Sequence, residues 1–107
     1  MQQYKDHISL GIEYGHGQIK ILPEGQLSIV TADEFKNKIF ALLEPGIRAL
    51  MVDLAQVHHI DSVGLAALII VSRKCQEKAV QLKIANPAST VGRLLNSTGL
   101  SKFLDVS

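Results

Sequence analysis

Ala49-Leu50-Met51-Val52-Asp53-Leu54 and, shortly after, His58-His59-Ile60-Asp61-Ser62-Val63-Gly64-Leu65 are the stretch from which the fold is read. The first segment is an almost continuous apolar run closed by Asp53 and Leu54. Such runs belong to strands buried on both faces, as parallel strands usually are. The second segment connects that strand to the next element. Ile69, Ile70 and Val71 favour strand locally, but residues 61–78 are too long for a typical strand. Asp61 and Ser62 suit a helix N-cap, and Arg73, Lys74 and Lys78 suit a helix C-terminus. The stretch therefore reads as a buried strand feeding a helix whose wide apolar face packs on a sheet.

The same pattern repeats on both sides. Ile8, Leu10 and Ile12 alternate with Ser9, Gly11 and Glu13, the period of a half-buried strand. Gly15-His16-Gly17 is a turn signal, and Ile19 and Ile21 continue a second strand, so the two form an antiparallel hairpin. Pro23-Glu24-Gly25 interrupts that strand. Thr31 is expected to cap a helix, with Glu34 completing a capping box and Phe35, Ile39, Leu42 and Leu43 on one face. Pro45-Gly46 ends it. Beyond the central helix, Val80, Leu82 and Ile84 alternate as a strand, Asn86-Pro87 stops it, and Val91, Leu94 and Leu95 mark a third helix ending near Gly99. Leu100, Phe103 and Leu104 are expected to tie the tail to the core. The order is β-β-α-β-α-β-α: an α/β fold with a mixed sheet of about four strands, helices packed on it and right-handed crossovers.

A chain of 107 residues fits a single domain, residues 1–107, with no second core. Apolar residues make up 47% and charged residues 20%, as in ordinary soluble domains. The net charge is +1 and the basic residues are scattered, so the face a direct nucleic-acid binder needs is missing. Cys75, the single cysteine, cannot form an internal disulfide and reads as a small buried residue. No basic start followed by an apolar run marks a signal peptide. The apolar run at residues 65–71 is too short to span a bilayer. The expectation is a cytoplasmic domain with no membrane insertion.

In open α/β sheets, function gathers beyond the carboxyl ends of strands. The segment from His58 to Leu65 puts the Ser62 hydroxyl at a helix N-terminus, where free N–H groups and the helix dipole favour negative charge. Gly64 removes bulk near the helix start, so that a partner's backbone could come close. A plainer reading stays open: Asp61 or Ser62 is simply an N-cap and Gly64 simply packs. Ser62, Asp61 and His58 or His59 supply the residue types of a hydrolytic triad, but sequence neighbours rarely point at one another as a triad requires, and there is no G-x-S-x-G elbow. No enzymatic activity is expected. His58 and His59 read as a solvent-facing pair rather than metal ligands, and neither metal nor cofactor is expected. Asp53 sits where a receiver domain has its phosphoacceptor, but the acidic pair such a domain needs after its first strand is absent.

The run Val52-Asp53-Leu54 through Asp61-Ser62-Val63-Gly64-Leu65 resembles the signature of the STAS domain family, an apolar strand followed by D-S-x-G-L opening a helix. Gly25-Gln26-Leu27 with Thr31-Ala32-Asp33-Glu34-Phe35 resembles the family's G-E-L and first-helix region. Asn86-Pro87-Ala88 with Val91, Arg93-Leu94-Leu95 and Ser97-Thr98-Gly99-Leu100 resembles its last strand-to-helix segment. The likeness runs from about residue 8 to 105, as one STAS domain of the anti-sigma factor antagonist kind.

The resemblance implies a partner-switching regulator. Ser62 would be phosphorylated by a GHKL-type serine-protein kinase that is also the anti-sigma factor, and reset by a serine phosphatase. The unphosphorylated form would bind the kinase; the phosphorylated form would not. The partner surface would comprise Asp61, Ser62, Val63 and Gly64, with Gly25, Ser28 and Thr31 from the neighbouring edge, on a monomer or weak dimer. Val63 replaces a second hydroxyl residue common in the motif, and Ser28 stands where many members carry an acid. The alternative within the fold is a STAS subunit of an ABC-type lipid-transport complex that binds its ATPase.

Overall fold

In the computed structural model, which describes residues 8–99 and 106, the chain begins with the expected hairpin. Strand β1 (Ser9–Gly15) turns through His16 and Gly17 into β2 (Gln18–Leu27). Both turn residues have positive φ, 48° and 81°, the type I′ geometry whose twist matches that of paired strands. Strand β2 does not stop at Pro23. It pairs with β1 along its length as far as Glu24, and changes partner on its other side.

That change of partner organises the sheet. After helix α1 (Ala32–Leu42), strands β3 (Ala49–Asp53) and β4 (Gln56–Ile60) come one after the other with only Leu54 and Ala55 between. Both run parallel to β2, β3 beside residues 18–21 and β4 beside residues 24–27. Leu22 and Pro23 fall between the two ladders, so the N–H that proline lacks removes no bond there. Asp53 shapes the step from β3 to β4: its Oδ1 accepts from Ala55 N at 3.0 Å and its Oδ2 from Asn86 Nδ2 at 3.1 Å. With α2 (Ser62–Glu77), β5 (Gln81–Ala85) and α3 (Ser89–Ser97), the result is a five-stranded mixed sheet in the order β1-β2-β3-β5, with β4 added on β2.

The expected element order therefore holds, with β4 as an additional strand. It escapes the period-two pattern because it carries a bulge. Gly25 and Gln26 of β2 face Val57 and His59, leaving His58 as the extra residue. Two exposed histidines in succession thus separate the buried Val57 and Ile60.

One face of the sheet carries the core. Ile19, Ile21, Leu50, Val52 and Ile84 point into it and meet Phe35 and Ile39 of α1, Leu68 and Val71 of α2, and Leu95 of α3. The opposite face is more open than a strand buried on both sides would allow. Lys20, Met51 and Lys83 stand side by side across β2, β3 and β5, each only half-buried, beside a shallow depression of about 460 Å³. Strand β1 overhangs the core, leaving Ile12 40% and Tyr14 69% exposed. Leu100, Phe103 and Leu104, expected to anchor the tail, lie outside the described residues; Val106 makes an isolated bridge to Ile84.

Helix α2 ends in a Schellman motif. Val80 N donates to Cys75 O at 2.8 Å and Ala79 N to Gln76 O at 3.2 Å, with Ala79 left-handed at φ 58°. Glycine is the favoured residue there because a Cβ is strained in that region. Ala79→Gly should therefore stabilise the domain by about 0.5–1 kcal/mol, the αL relief less glycine's extra unfolded-state entropy. A higher midpoint in urea at unchanged slope is the expected result.

Candidate functional site

The carboxylate of Asp61, between β4 and α2, holds two segments at once. Its Oδ1 accepts from Gly64 N at 2.8 Å, the N-cap bond of α2. Its Oδ2 accepts from Ile29 N at 2.9 Å, in the loop joining β2 to α1. Its own N–H donates to Leu27 O at 3.3 Å. The N–H donors of Gly64, then Ile29, hold the Asp61 carboxyl below its ordinary value, against a smaller opposing effect of desolvation, with Val63 N–H and the positive field of His59 adding to the lowering.

Gly64 lets this happen. A Cβ there would overlap the Leu27 carbonyl, coming within 2.7 Å of its carbon and 2.9 Å of Ile60 Cγ1. The close neighbour of Gly64 is thus the end of β2 in its own chain, and the residue is buried. The plainer local reading, a cap at Asp61 and packing at Gly64, describes what these two residues do structurally.

The loop ahead of α1 is closed by hydroxyl groups. Thr31 Oγ1 donates to Gln26 O at 2.7 Å and accepts from Ser28 N at 3.0 Å. Ser28 O accepts from Thr31 N at 3.0 Å and Ala32 N at 2.8 Å, while Ser28 Oγ accepts from Val30 N at 3.3 Å. Thr31 makes no side-chain cap on α1, so the expected capping box is replaced by this turn. Both hydroxyl residues are buried, and Gly25 is half-buried at the bulge with φ 128°. What the loop turns outward is Ile29, 71% exposed, and Val30, 57% exposed.

Ser62, the first residue of α2, is exposed, as is Val63. The Ser62 hydroxyl has no hydrogen-bond partner among the described residues, and neither His58 nor His59 bonds to it or to Asp61. The candidate site therefore combines a hydroxyl without a partner among the described residues and the neighbouring Asp61 carboxylate; the loop fastened to that carboxylate through Ile29 N exposes Ile29 and Val30, and Val63 is exposed next to Ser62. Ile29 and Val30 lie within the edge from Gly25 to Thr31 expected from the sequence, where Gly25, Ser28 and Thr31 rather than these two are the named residues. The available signal was two apolar residues between Ser28 and Thr31, outside any strand or helix period. Among the described residues, no group of three or more His, Cys, Asp or Glu side chains could hold a metal ion.

Two substitutions test this construction. Gly64→Ala should destabilise by about 1–3 kcal/mol, because the added methyl meets backbone that cannot rotate away. Asp61→Ala should cost about 1–2 kcal/mol at neutral pH through loss of the cap. Because the folded-state pKa of Asp61 is lowered, its contribution is present above the ordinary value of 3.8 and is lost as pH falls through the folded value. Urea unfolding of wild type and Asp61→Ala should therefore converge in strongly acidic buffer.

Comparison with known proteins supports the resemblance. The model of the STAS domain family matches residues 14–107. A Bacillus subtilis (strain 168) protein named anti-sigma-B factor antagonist is 25% identical over 101 residues, 94% of this chain and 92% of its own length. A crystal structure of an anti-sigma factor antagonist from Mycobacterium paratuberculosis superposes with TM-score 0.83 at 26% identity, covering 94% of this chain and 86% of that one. The fold is also that of the anti-sigma factor antagonist SpoIIAA, solved unphosphorylated (TM-score 0.77, 17% identity, 92% and 88% covered) and, from Bacillus, phosphorylated (0.71, 16%, 92% and 91%). No described helix is long and apolar enough to cross a membrane. With the family model spanning most of its length and an Asp61-Ser62 pair at the head of α2, this chain belongs to the STAS domain family.

Proposed function

We propose that this domain is an anti-sigma factor antagonist whose binding to an anti-sigma factor with GHKL-type serine kinase activity is switched off by phosphorylation of Ser62 and restored by a serine phosphatase. The observation that carries the reading is the exposed Ser62 hydroxyl, together with the exposed side chains of Ile29, Val30 and Val63. A docking partner that bridges Val63 and the loop fastened to Asp61 through Ile29 N passes over the head of α2, where the hydroxyl stands. Support also comes from relatives bearing the name anti-sigma factor antagonist and from SpoIIAA, which occurs in both phosphorylation states.

The switch has an electrostatic basis. A phosphoryl group adds about −1.5 to −2 charge. In the free domain two effects on it oppose each other. The dipole of α2 favours an anion at Ser62, while Asp61, already ionised and bonded to the Gly64 N–H, disfavours it. Both are moderated by solvent, so the fold survives. In a complex the same charge is pressed into an apolar contact with no described cation bonded beside it, at a cost of several kcal/mol. Ser28, Thr31 and Gly64 serve by shaping the surface from within; Asp61 positions it, and Ser62, Val63, Ile29 and Val30 meet the partner. No hydrolytic role is assigned: among the described residues no base is hydrogen-bonded to the Ser62 hydroxyl.

Calorimetric titration with the cognate kinase should show at least a hundredfold loss of affinity on Ser62 phosphorylation, equivalent to about 2.7 kcal/mol, with the melting temperature shifted by only a few degrees. Ser62→Ala should bind as the unmodified domain and take up no phosphate. Equal binding by both forms, or labelling of Ser62→Ala, would reject the switch. Val30→Asp should weaken binding about tenfold or more while leaving the melt unchanged, since Val30 is largely solvent-exposed.

A further inference from the structure

Strand β1 ends the sheet on the side away from the helix-bearing crossovers, and its outer edge pairs with no strand among the described residues. The outer sides of β4 and β5 also lack a partner strand among those residues. The two-residue turn makes Gly15–Gln18 the hydrogen-bonded closing pair of the hairpin, so Tyr14–Ile19, Ile12–Ile21 and Leu10–Pro23 are the non-bonded pairs. Proline at one of those positions is consistent with that phase. Leu10, Ile12 and Tyr14 consequently aim their backbone N–H and C=O groups away from β2. Sheet edges of this kind are normally protected by lysine, proline or a bulge. Strand β1, with the sequence Ser-Leu-Gly-Ile-Glu-Tyr-Gly, has none of these, and its outer residues Ile12 and Tyr14 are exposed.

We propose that β1 is a homodimer edge, on which a second copy of this chain adds its own β1 antiparallel about a two-fold axis at Ile12. The charge pattern selects the occupant and the register. With Ile12 on the axis, Ile12 faces its own copy, Leu10 faces Tyr14, Ser9 faces Gly15, and Glu13, the only charge in the strand, faces Gly11. All seven residues of β1 are used, and each outward-facing pair exchanges two hydrogen bonds. A shift that puts Glu13 on the axis sets two carboxylates against each other, which is unfavourable. A shift to Gly11 leaves Tyr14 beyond the end of the copy's strand. Strand β4, which leads to Ser62, lies on the other side of β2. Both Ser62 sites therefore stay open, and the dimer presents two of them.

Edge pairing alone makes an interface at the small end of the range, below about 1,200 Å², so the dimer is weak. Sedimentation equilibrium on the full chain should show the mass rising from 11.7 kDa towards twice that value, with a midpoint at roughly 10–1,000 µM. Ile12→Pro removes an outward N–H without touching the β1–β2 ladder and should stay monomeric at every concentration with an unchanged circular dichroism spectrum.

Ile12→Cys gives an independent reading. Facing residues of a bonded antiparallel pair have Cα atoms about 5.5 Å apart, within disulfide reach. Mild oxidation should link Ile12→Cys into a covalent dimer and leave Glu13→Cys uncrosslinked. Native Cys75 does not compete, being buried with its thiol pushed up to about 11. A wild-type chain that stays monomeric across this range, or crosslinking of Glu13→Cys as efficiently as Ile12→Cys, would overturn the proposal.

Discussion

The Asp61 carboxylate is the point on which the candidate site depends. One oxygen caps α2 through Gly64 N and the other fastens the β2–α1 loop through Ile29 N. The bond to Gly64 forms only because that residue, lacking a side chain, lets α2 rest on the Leu27 carbonyl. The bond to Ile29 is met by a loop already closed from inside by Ser28 and Thr31. Remove any of these and the loop and the helix start lose their mutual position, although none touches the outer surface as Ser62 does. In the proposed surface, the residues that set its shape and those offered to a partner are thus largely different sets.

Much of this was legible in the sequence. Alternation marks β1 and β5, apolar runs mark β3 and the face of α2, and Asp-Ser lies at the strand-to-helix junction that forms the candidate site. What escaped did so for identifiable reasons. β4 is only Gln56–Ile60 and breaks period two at His58 and His59. Pro23 reads as a stop, yet it falls where β2 has no parallel partner. Thr31 and Glu34 have the spacing of a capping box, but the Thr31 hydroxyl finds Gln26 O and Ser28 N instead. Sequence spacing cannot decide between a helix cap and a turn when the same hydroxyl serves either. Ser28 and Thr31 were therefore expected at the surface and are found beneath it, with Ile29 and Val30 outside.

The open face of the sheet has the same kind of cause. The Ala49–Asp53 segment looks apolar on both sides, and a parallel strand covered by helices on both faces would have that composition. Here the inward set is Leu50 and Val52, while Met51 lies between Lys20 and Lys83. Lysine stems can shield apolar surface, and Met51 is half-buried in register between two lysines that line the same depression. Composition alone does not distinguish cover by a helix from cover by lysine stems.

The bulge at His58 links these observations to function. Without the extra residue, alternation from Val57 would turn His59 inward and Ile60 outward, because a one-residue change reverses every later side chain of a strand. The insertion restores Ile60 to the core, where it lies against Gly64 and Leu27. Asp61 is then delivered on the side of the chain from which its carboxylate reaches both Ile29 and Gly64. It also brings His58 and His59 to the surface in succession. The irregularity that hid β4 from a periodicity argument is what aims the helix start, and with it the Ser62 hydroxyl, outward beside the apolar loop. In this domain the local departure from strand period is part of how the site is built.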